Sequence, residues 1–220
     1  MSATRAPRLP RVSATRLIVL GAVRTFQPVH GYFVRRELLS WGVETWAHVH
    51  PGSIYNALRS LDHAGEIDVV DTENEGARPA RTRYRLTTDG EKAFFTLLRD
   101  ALWTVQMDPS ALFAGLMFAS ALRREEVIDA MTARCDKLRA ASVEIKHASQ
   151  DAAEARTAPA HTQELWNIGA ARLGGELRWC RAYAGRLRAG HYRFYPEPGW
   201  NAPPGPEGRW DAQLWQPIDR

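Results

Sequence analysis

Apolar residues recur along this chain with a helical period in some stretches and alternate in others, and the switches between the two mark out its elements. Ser13 can cap a mostly apolar helix through about residue 26, built on Leu17, Ile18, Val19, Leu20 and Val23. Gln27-Pro28-Val29 stops it, because proline disfavours helix at the residue before it. A second helix from about 30 to 40 has Tyr32, Phe33, Val34, Leu38 and Leu39 as candidate core, with Arg35 and Arg36 outward. Trp41-Gly42-Val43 closes it, and a linker containing Trp46 and His48 follows. In the third helix Ile54, Leu58 and Leu61 make an apolar stripe, and Ser53, Tyr55, Asn56, Arg59 and Ser60 fill the opposite face. Pro51 suits its first turn, where a missing N–H costs nothing, and Gly65 can take the positive φ that ends it.

Beyond Gly65 the period becomes strand-like. Ile67, Val69 and Val70 form a short β-compatible run, residues 73–79 have turn composition, and Thr82, Tyr84 and Leu86 then alternate with Arg81, Arg83 and Arg85. The expectation is a two-stranded hairpin with three guanidinium groups on one face of its second strand, or simply the solvated face of an amphipathic strand. Thr88 and Glu91 stand at capping-box spacing and open a helix through about residue 105, on Phe94, Leu97, Leu98, Ala101 and Leu102. Residues 110–122 are apolar on all sides, so that helix must be covered on more than one.

Two long helices follow. From about 124 to 155, Val127, Met131, Cys135, Leu138, Ser142 and Ile145 form a seam. After Pro159, a matching seam runs from 162 to about 187 through Leu165, Gly169, Leu173, Leu177, Cys180, Ala184 and Leu187. The tail, 190–220, holds six prolines with Tyr192, Phe194, Tyr195, Trp200, Trp210 and Trp215. So many aromatics argue for an extended segment packed on the body or on a partner chain.

Composition narrows the class. The chain has 220 residues, 45% of them hydrophobic and 25% charged, enough for one large or two small folded domains. Net charge is only +4, but it is unevenly placed. The first 36 residues carry seven arginines and no Asp or Glu, which favours phosphate or another anionic partner. The two cysteines, Cys135 and Cys180, form no metal-binding spacing and read as buried thiols of a cytoplasmic protein. The apolar run from 17 to 23 is too short to span a bilayer, so no membrane partner is expected. With no ordered nucleophile–base set, no glycine-rich phosphate loop and no metal spacing, the reading is not an enzyme and needs no cofactor. Three helices followed by a basic hairpin suggest a winged helix-turn-helix, with the 51–65 helix as its reading helix.

Residue for residue, this order resembles the PadR family of bacterial transcriptional regulators. The resemblance rests on residues 17–21 (LIVLG), His30-Gly31-Tyr32, residues 51–61 (PGSIYNALRSL), Gly65-Glu66-Ile67 and residues 83–90 (RYRLTTDG), in that order. A weaker likeness, at residues 122–128 and from Glu164-Leu165-Trp166 onward, is to that family's helical dimerisation region. The tail after about Gly190 departs from the pattern.

The fold expected is therefore mainly α with a small β-hairpin. It comprises a basic arm (1–12), a winged helix-turn-helix domain (13–105), antiparallel dimerisation helices (106–189) and an aromatic, proline-rich tail (190–220). The resemblance implies a homodimeric repressor bound to double-stranded DNA at a pseudo-palindromic operator. Asn56 and Arg59 are residue types that read adenine and guanine edges, Asn56 and Ser53 standing with Tyr55 at the helix end that enters the groove. Tyr55 suits a phosphate or sugar contact, as do Tyr32 and Arg35 on the second helix. Arg78, Arg81 and Arg83 suit the backbone or the minor groove; Arg85 instead can pair with an acid such as Asp68 or Glu66. The resemblance also implies a small aromatic or drug-like effector, for which Trp103, Phe113, Met117 and Trp166 are candidates, though such residues are more often core or interface. The alternative function is a winged-helix module for protein or RNA without an operator of its own.

Overall fold

Ser13 Oγ accepts a hydrogen bond from the Arg16 amide and opens α1 (Ala14–Phe26), as its capping chemistry predicts. Residues 17–20, 22 and 23 are fully buried, so this apolar helix is the centre about which its unit packs. The computed structural model describes residues 13–73, 81–155 and 159–200; for 71–73, 81 and 155 it describes the backbone alone. The described residues divide into two compact units, one of 13–73, 81–101 and 108–118, the other of 102–107, 119–155 and 159–200.

In the first unit, β1 (Val29–His30) leads into α2 (Gly31–Ser40), and the expected linker contains a one-turn helix, α3 (Val43–Trp46). The helix expected to read DNA is α4 (Pro51–His63), with Pro51 in its first turn and Gly65 just beyond its end at φ +67°. The expected two-stranded hairpin is instead part of a three-stranded antiparallel sheet of order β1-β3-β2, with β2 at Ile67–Glu73 and β3 at Arg81–Leu86. Two residues are too short a strand for alternation to register, so β1 left no trace in the hydrophobic pattern.

Helix α5 (Thr88–Trp103) is capped one residue earlier than its sequence suggests. Thr87 Oγ1, not Thr88, accepts from the Gly90 amide at 3.0 Å and donates to the Gly65 carbonyl at 2.7 Å. The next helix, α6 (Ser110–Phe118), packs on α1. There the Phe118 ring fills the space a Cβ on Gly21 would need, 2.3–2.6 Å away, and lies edge-on to Phe94.

The second unit is a helical pair, α7 (Arg124–Ala155) and α8 (Gln163–Arg188). Gln163 bonds Ser149, Glu176 bonds Arg134 and Arg188 bonds Thr132, so positions rise along one helix as they fall along the other. The helices are antiparallel. The seam closes fully over Val127, Met131, Cys135 and Leu138 on α7 and over Cys180, Ala184 and Leu187 on α8. Leu165, expected in the seam, is instead 71% exposed. Burial pushes the Cys180 thiol up to about 12.

The first part of the tail packs on this pair. Arg124 donates to both carboxylate oxygens of Glu197 at 2.6 and 2.7 Å and to the carbonyls of Leu187 and Tyr192, and it lies over the ring of the buried Phe194. Trp210 and Trp215 lie outside the described residues, as does the arm 1–12. No described helix is long and apolar enough to cross a membrane.

Candidate nucleic-acid interface

Helix α4 is held by one face and presents the other. Ile54, Leu58 and Leu61 are at most 1% exposed, which at about 25 cal/mol per Å² of apolar area makes that stripe its anchor. On the opposite face Asn56 and Arg59 are exposed, Tyr55 is 42% exposed and Ser53 is half-buried. Asn56 and Arg59 stand one turn apart, and Arg59 Nη2 donates to Asn56 Oδ1.

The N-terminus of α2 lies against this helix at Gly31. A Cβ there would stand 3.4 Å from Leu58 Cδ1 and Tyr84 Cε2 and 3.6 Å from Tyr55 Cε1, so the rings of Tyr55 and Tyr84 frame the same backbone. Burial, then the nearby charge of Asp62 and then Tyr55, holds the Tyr84 hydroxyl above its usual range. Next along, Tyr32 is 52% exposed and its ring stacks on His30 at 5.4 Å. Arg35 is half-buried, while Arg36 folds over Phe33 and pairs with Glu37 at 2.9 Å.

The sheet ties the hairpin to this face. Arg83 Nε donates to His30 Nε2 at 3.3 Å across the β1–β3 pairing, and Gln27 Oε1 accepts from the Leu86 amide at 2.8 Å. Among the described residues, the buried His30 Nδ1 has no hydrogen-bond partner. At the foot of the hairpin Arg16 pairs with Glu66.

The register of β2 on β3 changes the picture of a basic face. Asp68 stands across from Arg85, Asp71 from Arg83 and Glu73 from Arg81, with a bulge between Val69 and Asp71. Each arginine thus has an acidic residue at the facing position of the neighbouring strand. The Asp68–Arg85 pairing agrees with the sequence reading, whereas the two beyond the bulge cannot be read from alternation along one strand. The backbone of Arg81 lies in β3, its side chain lies outside the described residues, and Arg78 lies outside them altogether.

The structure therefore brings Tyr32, Arg35, Ser53, Tyr55, Asn56, Arg59 and Arg83 onto one unit. His30, which the sequence marks only as part of the His30-Gly31-Tyr32 motif, joins Tyr32 to Arg83. The four effector candidates divide between the units. Phe113 and Met117 on α6 are 42% and 39% exposed, and Phe113 meets Trp46 edge-on at 6.1 Å. Trp103 and Trp166 belong to the other unit and are half-buried. Among the described residues no group of His, Cys, Asp and Glu is arranged to hold a metal ion.

No curated protein matches the chain. Among solved structures, it is similar to Bacillus subtilis PadR in complex with operator DNA (19% identity, covering 78% of this chain and 98% of that one, TM-score 0.34). It is also similar to the PadR-like transcriptional regulator BC1756 from Bacillus cereus (17% identity, 80% and 99% covered, TM-score 0.32). A third is smu.1604c from Streptococcus mutans UA159 (18% identity, 80% and 96% covered, TM-score 0.34). Residues 19–95 match the model of the transcriptional regulator PadR-like family. The match runs from α1 through α4 and the sheet into α5, so it is the first unit of this chain that is similar to that family.

Proposed function

We propose that this protein is a sequence-specific DNA-binding regulator that acts as a homodimeric repressor on a pseudo-palindromic operator. The observation that carries this reading is the polar face of α4. Asn56 and Arg59 project from a helix fixed by its other side, the arrangement in which a helix enters the major groove. Tyr32, Arg35, Ser53, Tyr55 and Arg83 flank it as candidate phosphate or sugar contacts, with Arg78 and Arg81 assigned to the wing by sequence. The Bacillus subtilis relative was crystallised with operator DNA, which agrees with this reading.

Dimerisation is supported by the open part of the helical pair. Val143, Leu165 and Ile168 are 55%, 71% and 62% exposed, an apolar surface suited to a second copy. Release by a small aromatic or drug-like effector is the finest part of the proposal, and substitution of Trp103, Phe113, Met117 and Trp166 tests it.

Selecting bound duplexes from a random DNA pool with purified protein tests the reading as a whole. The expected result is a palindromic consensus with half-sites about one helical turn (~34 Å) apart. Recovery of unenriched DNA would sink it.

A further inference from the structure

We propose that Asn56 and Arg59 form a single reading unit, in which Asn56 positions the Arg59 guanidinium for a guanine instead of reading an adenine of its own. The inference rests on α4 being the DNA-reading helix, as proposed above. Its basis is the hydrogen bond from Arg59 Nη2 to Asn56 Oδ1 on the exposed face of α4.

Three features of that bond point the same way. A bidentate contact to adenine uses the amide oxygen and the amide nitrogen together, both turned to the base edge. Here the oxygen faces back to the guanidinium of the residue one turn on. Second, the bond leaves the arginine's own recognition capacity intact. The guanidinium has five N–H donors in a planar fork, and whichever Nη2 hydrogen Asn56 takes, one two-donor edge remains. That edge matches guanine O6 and N7, the pairing arginine makes most often. Third, the bond sets direction. Arg59 has an acid, Asp62, three residues further along α4 and an amide three residues back. It bonds the amide, while Asp62 lies near the Tyr84 hydroxyl. The fork is thereby drawn toward the N-terminal end of α4, where Ser53 and Tyr55 also stand and where a reading helix meets base edges. Holding a long, exposed side chain in this orientation before DNA arrives removes part of the ordering cost of binding.

The test is selection from a random duplex pool with the full chain and with Asn56→Ala, Arg59→Ala, the double variant and Asn56→Asp, followed by affinities on operators altered at single positions. Both side chains are exposed, so the variants should unfold at the same temperature as the parent. The expected result is a guanine in each half-site whose preference falls roughly tenfold or more in Arg59→Ala. Asn56→Ala should relax that same position and no other, and the double variant should match Arg59→Ala. Asn56→Asp keeps the acceptor oxygen, so it should retain the guanine preference while binding all DNA more weakly. Relaxation of a separate adenine position by Asn56→Ala, with the guanine preference intact, would overturn the inference and leave the DNA-binding function standing. A parent protein that enriches no sequence would overturn that function, and the inference with it.

Discussion

Arg134 of α7 is 1% exposed and donates through Nε to Glu176 Oε1 of α8 at 2.6 Å. Its Nη1 reaches the carbonyls of Leu102 and Thr104 at 3.2 and 2.7 Å, and Lys137 takes the Trp103 carbonyl between them. Two cations from α7 thus satisfy the carbonyls that the end of α5 leaves unpaired. Removing one partner of a buried pair leaves the other charge uncompensated, which costs about 3–5 kcal/mol. Glu176→Ala should lower the free energy of urea unfolding by that order. Arg134→Met combined with Glu176→Leu should recover part of the loss, because no buried charge is then stranded. An unchanged unfolding midpoint in Glu176→Ala would show the bond to be dispensable.

Gly90 marks a second tight point. A Cβ there would stand 1.9 Å from the Glu66 carbonyl oxygen, the same oxygen that accepts from the Thr87 amide at 3.0 Å. Backbone cannot yield as a side chain does, so Gly90→Ala should destabilise by about 1–3 kcal/mol or more. Gly52, exposed in the first turn of α4 with nothing within 4 Å of its Cβ position, is the control. Gly52→Ala should gain roughly 0.5–1 kcal/mol from helix propensity alone. Thermal unfolding of the two variants should therefore shift in opposite directions; equal shifts would contradict the packing described.

Periodicity made most of the fold legible. Ile54, Leu58 and Leu61 named the buried side of α4 without ambiguity, and with it the exposed side where the candidate readers stand. The partner of α6 was not legible, because a helix apolar all round has no single face to indicate what covers it. Arg134 was missed for a related reason. In sequence it resembles any flanking charge of a seam, and its burial follows only from where the end of α5 lies. Asp68 was named as a partner for Arg85 from the sequence, but the positions facing Arg83 and Arg81 depend on a bulge that one-dimensional alternation cannot place.

The Arg124–Glu197 pair gives the tail segment a pH dependence of definite sign. The hydrogen bond from Arg124, more than its charge, holds the Glu197 carboxyl below the ordinary carboxylate range. A carboxylate lowered in the folded state contributes stability that is complete above its unfolded value, about 4.3, and is lost as pH falls through its folded value. The Tyr195 amide, which donates to the Ser120 carbonyl at 3.0 Å, should stay protected from hydrogen exchange at pH 5 and lose protection only below the ordinary carboxylate range. Glu197→Gln should lose protection already at neutral pH. Equal protection in parent and variant across that range would show that the pair does not hold the segment.

The facing positions of Asp68 and Arg85 bear on how the wing engages DNA under the proposed function. Both side chains are exposed, and the pair stands near the foot of the sheet, beside the Ile67–Leu86 pairing. A phosphate approaching Arg85 must compete with the carboxylate opposite, so Arg85→Ala should change the salt dependence of binding little. Asp68→Asn removes that competitor. It should tighten binding to operator and random DNA alike by a few-fold, within the ~0.2–1 kcal/mol typical of exposed charge pairs. If Arg85 then takes a phosphate, the slope of log K against log salt should steepen by up to about 0.9. Unchanged affinity in Asp68→Asn would place this end of the wing away from the DNA. The phosphate contacts would then fall to Arg83 and to the residues nearer the turn.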